Sequence, residues 1–205
     1  GKGSFRLPAS LIHENFTYST LDITDRDAVM KCIKAFAPDT IIHSAAITQV
    51  DDCELNKSFC YSVNVDGTKN IIDAAKEVDA SIYYLSTDFV FSGEAGPYQE
   101  TDSAVPVNYY GVTKLLAEEL VRKSGLHWCT IRTILLYGKA DPLKRSNFVY
   151  WVKKYLEEGT KIKVVNDQIR TPTYIPDLVN GIFLCLKKEA QGVFHISGAD
   201  VLTPF

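Results

Sequence analysis

Residues 81–88 read Ser-Ile-Tyr-Tyr-Leu-Ser-Thr-Asp, and residues 109–114 read Tyr-Tyr-Gly-Val-Thr-Lys. The first stretch is an apolar strand, Ser81 to Leu85, that ends in two hydroxyls. The second opens a helix expected from about Tyr109 to Lys123. On a helix Tyr110 and Lys114 lie one turn apart on the same face. An ammonium there favours the phenolate and lowers the tyrosine pKa from its usual value of about 10. Such a tyrosine exchanges a proton with a carbonyl or alcohol near neutral pH, while a strand-end hydroxyl holds the reacting oxygen. The combination is a proton-transfer site for carbonyl/alcohol redox chemistry. Spacing alone is weak evidence, because Tyr150 and Lys154 show it too. Tyr150 falls inside a helix with no hydroxyl-ended strand just before it, and that pair is read as an ordinary helix surface.

Outward from this stretch, helix and strand signals alternate. Residues 1–20 are irregular. Thr24 to Asp27 reads as a helix start with a hydroxyl cap and acids in the first turn. Val29, Ile33 and Phe36 then recur at helical spacing, and Pro38 stops the run. Thr40 to His43 is a short apolar strand. A long helix is expected from about Asn56 to Val78, with Ile71, Ile72 and Ala75 inward. Glu94 to Pro106 is a loop. Trp128 to Arg132 is a strand, Ser146 caps a helix to about Glu158, and Gly159 ends it. Lys161 to Val165 reads as a strand. Pro176 and Asp177 open a helix with Leu178, Val179, Ile182, Phe183 and Leu186 at helical spacing. Val193 to Ile196 is the last strand. Continuously apolar strands alternating with helices predict an α/β fold, a doubly wound parallel sheet of Rossmann type. Ligands of such sheets bind beyond the carboxyl ends of the strands, where Ser44-Ala45-Ala46 and Ser86-Thr87-Asp88 fall. The plainer reading is that small residues tighten strand-to-helix turns.

At 205 residues the chain is read as one domain, 1–205, with residues from about 140 onward on the substrate side. Net charge is −3 with no basic stripe, which argues against a nucleic-acid partner. No run of about 18 apolar residues is present to cross a membrane. The five cysteines are scattered, without Cys-x-x-Cys or zinc spacing, so no metal is expected and a reduced, cytoplasmic setting is.

Taken in order, these segments resemble the extended short-chain dehydrogenase/reductase family, nearest its dTDP-4-dehydrorhamnose reductase branch. Leu21 to Asp25 resembles the segment on the adenine ring. His43 to Asp51 resembles the turn beside the cofactor, and Val63 to Thr68 the helix that follows. Ser86 to Gly93 and Tyr110 to Lys114 resemble the catalytic motifs. Asn147-Phe148 and Asp167 to Tyr174 resemble segments lining a sugar-nucleotide site. The resemblance implies NADP or NAD as cofactor, held by Asp22, Ile23, Ala45, Ala46, Ile47, Asn64, Ser86, Tyr110 and Lys114. It implies Thr87, Tyr110 and Lys114 as catalytic residues. It places Thr48, Val50, Asp88, Asn147, Gln168 and Arg170 on a nucleotide-sugar substrate, and it allows a homodimer. Hydride delivery to the C4 carbonyl of a 4-keto-6-deoxy sugar, with the proton from Tyr110, is the reaction implied.

The chain also departs from that pattern. No strand and Gly-x-x-Gly-x-x-Gly loop open it, and Ser197 to Phe205 resembles only the lead into a substrate-side portion. A fragment of a longer protein is therefore expected. Phe89 stands where the branch often has tyrosine. His43 replaces the usual asparagine and is read as a packed residue. Arg170 is either a phosphate partner or a solvated loop arginine. The competing functions are epimerisation or dehydration of a nucleotide sugar, and a regulatory subunit such as the beta subunit of methionine adenosyltransferase. Replacing Tyr110 by Phe is expected to abolish turnover with cofactor affinity nearly unchanged. A larger loss of steady-state rate in Tyr150→Phe would show that the wrong pair had been chosen.

Overall fold

A computed structural model describes residues 16–138 and 148–204 of the chain. Its centre is a parallel sheet of four strands: β1 (Thr40–His43), β2 (Ser81–Thr87), β3 (Trp128–Thr133) and β6 (Gly192–His195), hydrogen-bonded in that order. A second, two-stranded parallel sheet joins β4 (Leu136–Tyr137) to β5 (Thr173–Tyr174). The helices are α1 (Arg26–Phe36), α2 (Val50–Leu55), α3 (Lys57–Tyr61), α4 (Gly67–Lys76), α5 (Tyr109–Arg122), α6 (Phe148–Glu157) and α7 (Ile175–Lys187).

Strand alternation distributes the core to both faces. Ile82 and Tyr84 of β2 point to one side. There they pack with Val29 and Ile33 of α1, Ile71, Ile72 and Ala74 of α4, and Ala117 and Val121 of α5. Tyr83 points to the other side, with Cys129 and Ile131 of β3, against Leu178, Ile182 and Cys185 of α7. Both faces of the sheet are thus covered by helices, as a doubly wound fold requires.

Several local expectations change in the structure. Asp25, not Thr24, caps α1: its carboxylate accepts from Ala28 N at 3.0 Å, while the Thr24 hydroxyl donates to Asp22 at 2.8 Å. Phe36 is exposed, as are Val179 and Phe183 of α7, so α7 buries a narrower stripe than its composition implies. The long helix expected from Asn56 is a broken one. Asn56 does cap α3, accepting from Phe59 N at 3.2 Å, but α2 precedes it, and the π-helical turn Ser62–Asp66 joins α3 to α4. Such one-turn widenings insert an extra residue and re-aim a side chain, here Asn64. Residues 161–165 form no strand. They show the alternating exposure of extended chain, but no neighbouring strand among the described residues offers a ladder. The Ser146 cap and Asn147 lie outside the described residues.

The strand-to-helix junction after β2 is the tightest of these joins. Thr87 is followed by a 3-10 turn, Asp88–Val90, and the first turn of α5 lies directly on it. A Cβ built on Gly111 would collide with the Phe89 carbonyl oxygen, which is backbone and has no rotamer to yield. Gly111 therefore fixes how closely Tyr110 approaches the end of β2. Replacing Gly111 by Ala is expected to destabilise the fold by roughly 1–3 kcal/mol, as overpacking does, measured by thermal or urea unfolding.

Candidate active site

Strand β2 ends with Ser86 and Thr87, both buried, at the carboxyl edge of the sheet. Asn108 caps α5 by accepting from Gly111 N at 2.8 Å, which sets the helix so that Tyr110 and Lys114 both face inward. Lys114 is 3% exposed. Its ammonium donates to the Leu85 carbonyl at 2.7 Å and sits 4.1 Å over the Tyr84 ring. Burial pushes its pKa down to about 7, with Glu118 opposing. His43, at the end of β1, lies against the same Tyr84 ring at 5.5 Å. Burial and then the Lys114 charge push its pKa down to about 3. Because Thr68 gives its hydroxyl proton to the Asn64 carbonyl at 2.7 Å, His43 Nε2 is the donor in its 3.0 Å bond to Thr68. His43 is thus a neutral, packed histidine.

Tyr110 differs from the expectation drawn from spacing. Burial raises its pKa to about 12, the Thr87 side chain pulls back by hydrogen bonding, and the Asp88 charge adds to the rise. Lys114 does not lower it here, because the ammonium is turned to the Leu85 carbonyl and the Tyr84 ring. The consequence is a tyrosine that holds its proton at neutral pH. By contrast Lys154 is two-thirds exposed and pairs with Glu158 at 3.9 Å on the surface of α6.

Around this centre the structure forms two further groups. Asn64, fully buried, accepts from Ile47 N at 2.8 Å and donates to Ile47 O and to Thr113 Oγ1, each at 3.0 Å. Two of these bonds fix the turn after β1 and the third ties it to α5, so Asn64 acts on any ligand there through Ile47. Ile47 and Val50 also pack beside Cys53, Cys60 and Tyr110. Ser44, Ala45 and Thr48 are exposed along the turn, and Ala46 is half-buried. The second group is Asp88, Gln168 and Arg170. Arg170 Nη1 lies 2.8 Å from Asp88 Oδ2, Nε donates to Gln168 at 3.2 Å, and the guanidinium sits 5.1 Å over Phe89. Arg170 is therefore not a solvated loop arginine. A cavity of about 280 Å³ opens between Phe89, Leu135, Phe148, Val165, Gln168 and Arg170. Leu135 carried no signal in the sequence, and Val165 was read only as the end of a strand; in the structure both lie outside helices and strands. Asp22 and Ile23 lie against α4: a Cβ on Gly67 would meet Ile23, and Asn70 donates to Ile23 O at 2.9 Å. A second cavity, about 200 Å³, lies on the other flank of α5 and shares no lining with Thr87, Tyr110 or Lys114.

The family model described as the RmlD substrate binding domain matches residues 9–205. A dTDP-4-dehydrorhamnose reductase of Aggregatibacter actinomycetemcomitans is 35% identical over 188 residues, covering 88% of this chain and 63% of that protein. A methionine adenosyltransferase 2 subunit beta of Pongo abelii is 30% identical, covering 92% of this chain and 58% of that protein. The dTDP-4-dehydrorhamnose reductase of Bacillus anthracis, solved with NADP, superposes with a TM-score of 0.84 at 34% identity, covering 89% of this chain and 64% of that one. The chain thus spans less than two thirds of the length of these proteins.

The buried bases give the fold a pH signature. Unfolded, His43 binds a proton near pH 6.5, and folded only near 3. Stability from His43 is present above pH 6.5 and is lost as pH falls, by up to about 1.4 kcal/mol per pH unit. Lys114 titrates near 10.5 unfolded and near 7 folded, so its burden is full below pH 7 and fades as pH rises to 10.5. Lys114→Met is therefore expected to raise the melting temperature at pH 7, with the gain shrinking toward pH 10. Calorimetry across pH 5–10 checks both signs.

Proposed function

This chain belongs to the RmlD substrate-binding domain family, within the extended short-chain dehydrogenase/reductases, and from that premise we propose that it reduces the keto group of a nucleotide-linked 4-keto-6-deoxy sugar. The observation that carries the reading is the meeting of Thr87, Tyr110 and Lys114 at the carboxyl end of β2. One is a buried hydroxyl, one a tyrosine that keeps its proton, and one a lysine poised near neutrality.

The residues fit a nicotinamide dinucleotide, NADP or NAD. Small, exposed Ser44 and Ala45 leave the end of β1 open to a flat ligand, and Ser86 Oγ is buried without a hydrogen-bond partner. When bound, the nicotinamide supplies the hydride. Ala45, Ala46 and Ile47 would hold it along the β1 turn, with Asn64 fixing Ile47. Ser86, Tyr110 and Lys114 would hold its nicotinamide end, and Asp22 and Ile23 its adenine end. Thr87 positions the carbonyl oxygen. Tyr110 donates the proton to that oxygen, with the Thr87 hydroxyl beside it. General-acid help of this kind is worth about 10²–10⁴ in rate. The apolar cavity beside Phe89, with Gln168 and Arg170, takes the sugar nucleotide in this reading, with Asp88 held by Arg170 at its edge; Thr48, Val50 and Asn147 are given to the substrate by the family resemblance alone.

Full-length protein is expected to oxidise NADPH or NADH when given dTDP-4-keto-6-deoxy-L-mannose, followed by loss of absorbance of the reduced cofactor. Tight nicotinamide binding with no turnover would overturn this reading and favour a non-catalytic subunit; the methionine adenosyltransferase relative is named a subunit.

A further inference from the structure

Two thiols that the proposed reaction does not use meet beside Tyr110. Cys53 of α2 and Cys60 of α3 are free and buried, and the Cys60 thiol donates to Cys53 Sγ at 2.6 Å. A disulfide needs about 2.05 Å between its sulfurs, so little movement separates the pair from a bond. The helices that carry the two thiols are short, six and five residues, and the chain breaks between them at Asn56. Leu55 and Phe59, the large apolar residues beside the thiols in sequence, are exposed rather than packed. Short elements with few buried apolar contacts open locally well below the cost of global unfolding. A second buried pair, Cys129 on β3 and Cys185 on α7, is also hydrogen-bonded, but it sits in the core with Tyr83, Ile131, Leu178 and Ile182. Proximity is common to both pairs; only Cys53 and Cys60 lie under elements that can lift away alone.

We propose that Cys53 and Cys60 are a modification site, a dithiol that hydrogen peroxide converts reversibly to a disulfide beside Ile47 and Tyr110. The neighbours set the order of reaction. Asn64 Nδ2 lies 3.5 Å from Cys60 Sγ and offers it an N–H, which favours a thiolate there. Burial, and then the hydrogen bond with Cys60, push the Cys53 thiol up to about 12. Opening of α2 or α3 admits peroxide and removes the burial that keeps Cys53 protonated. The Cys60 thiolate attacks one peroxide oxygen: an S–O bond forms, the O–O bond breaks, and hydroxide leaves with the Cys60 proton as water. Cys53 then attacks the Cys60 sulfur: the S–S bond forms, the S–O bond breaks, and hydroxide leaves with the Cys53 proton as a second water. Each sulfur is oxidised by one electron, and the two peroxide oxygens are reduced to water. The bond also removes the Cys53 S–H that faces the Ile47 carbonyl at 3.9 Å, so the modification reaches the turn after β1.

The site needs neither substrate nor cofactor, so it stands or falls apart from the reductase reading. Full-length protein is treated with hydrogen peroxide, alkylated, and digested with trypsin without reductant. Lys57 lies between the two cysteines, so a disulfide leaves two tryptic peptides joined, which mass spectrometry resolves. The joined peptides are expected in wild type, are expected to separate with dithiothreitol, and are expected to form at least about tenfold faster than any link between Cys129 and Cys185. In Cys53→Ala the Cys60 sulfenic acid has no resolving partner and is expected to be trapped by dimedone. In Cys60→Ala, Cys53 is expected to stay a thiol. Recovery of Cys53 and Cys60 as alkylated thiols after peroxide, or linkage of Cys129 to Cys185 at an equal rate, would overturn the proposal. Dimedone on Cys53 in Cys60→Ala, with none on Cys60 in Cys53→Ala, would overturn the order of attack.

Discussion

The meeting of Thr87, Tyr110 and Lys114 depends on how closely the first turn of α5 lies on the end of β2. Gly111 packs on the Phe89 carbonyl with no room for a methyl group. That approach puts Tyr110 beside Thr87, sets the Phe89 and Tyr110 rings edge to face at 5.8 Å, and carries Lys114 one turn further into the sheet. There the lysine finds a carbonyl oxygen and an aromatic face. A looser junction would return Lys114 to water, and its pKa to that of an ordinary lysine.

Burial then divides the titratable groups into roles. His43 and Lys114 share the Tyr84 ring, and only one cation is tolerated there. The Thr68 hydroxyl, committed to Asn64, holds His43 as a neutral donor, which leaves the site's positive charge to Lys114. Tyr110 is driven the other way and keeps its proton. Groups whose environments push their pKa values in opposed directions mark acid–base sites more reliably than any one shift does.

The Asp88–Arg170 pair adds a second layer. It is only partly buried, with side chains 28% and 18% exposed, so its worth to stability is modest. Its position matters more than its strength. Because Asp88 follows Thr87 directly and its two oxygens face different partners, the pair joins the cavity wall to the Thr87 hydroxyl.

The sequence by itself determined the alternation of apolar strands and helices, and with it the parallel sheet, the strand-end hydroxyls and the α5 helix carrying Tyr110 and Lys114. These depend on local periodicity and caps, which neighbouring residues fix. Spacing did not separate the two Tyr/Lys pairs; the fold does, burying Lys114 and leaving Lys154 exposed. Nor could it show the π-helical turn, because the reason for that turn is Asn64 reaching 17 residues back to Ile47. The absent strand at 161–165 has the same cause: extended chain becomes a strand only when another strand lies beside it. The direction of the Tyr110 shift and the contact of Arg170 with Asp88, 82 residues apart, were likewise settled by the fold. Desolvation and long-range hydrogen bonds belong to a folded surface, and no local pattern of residues encodes them.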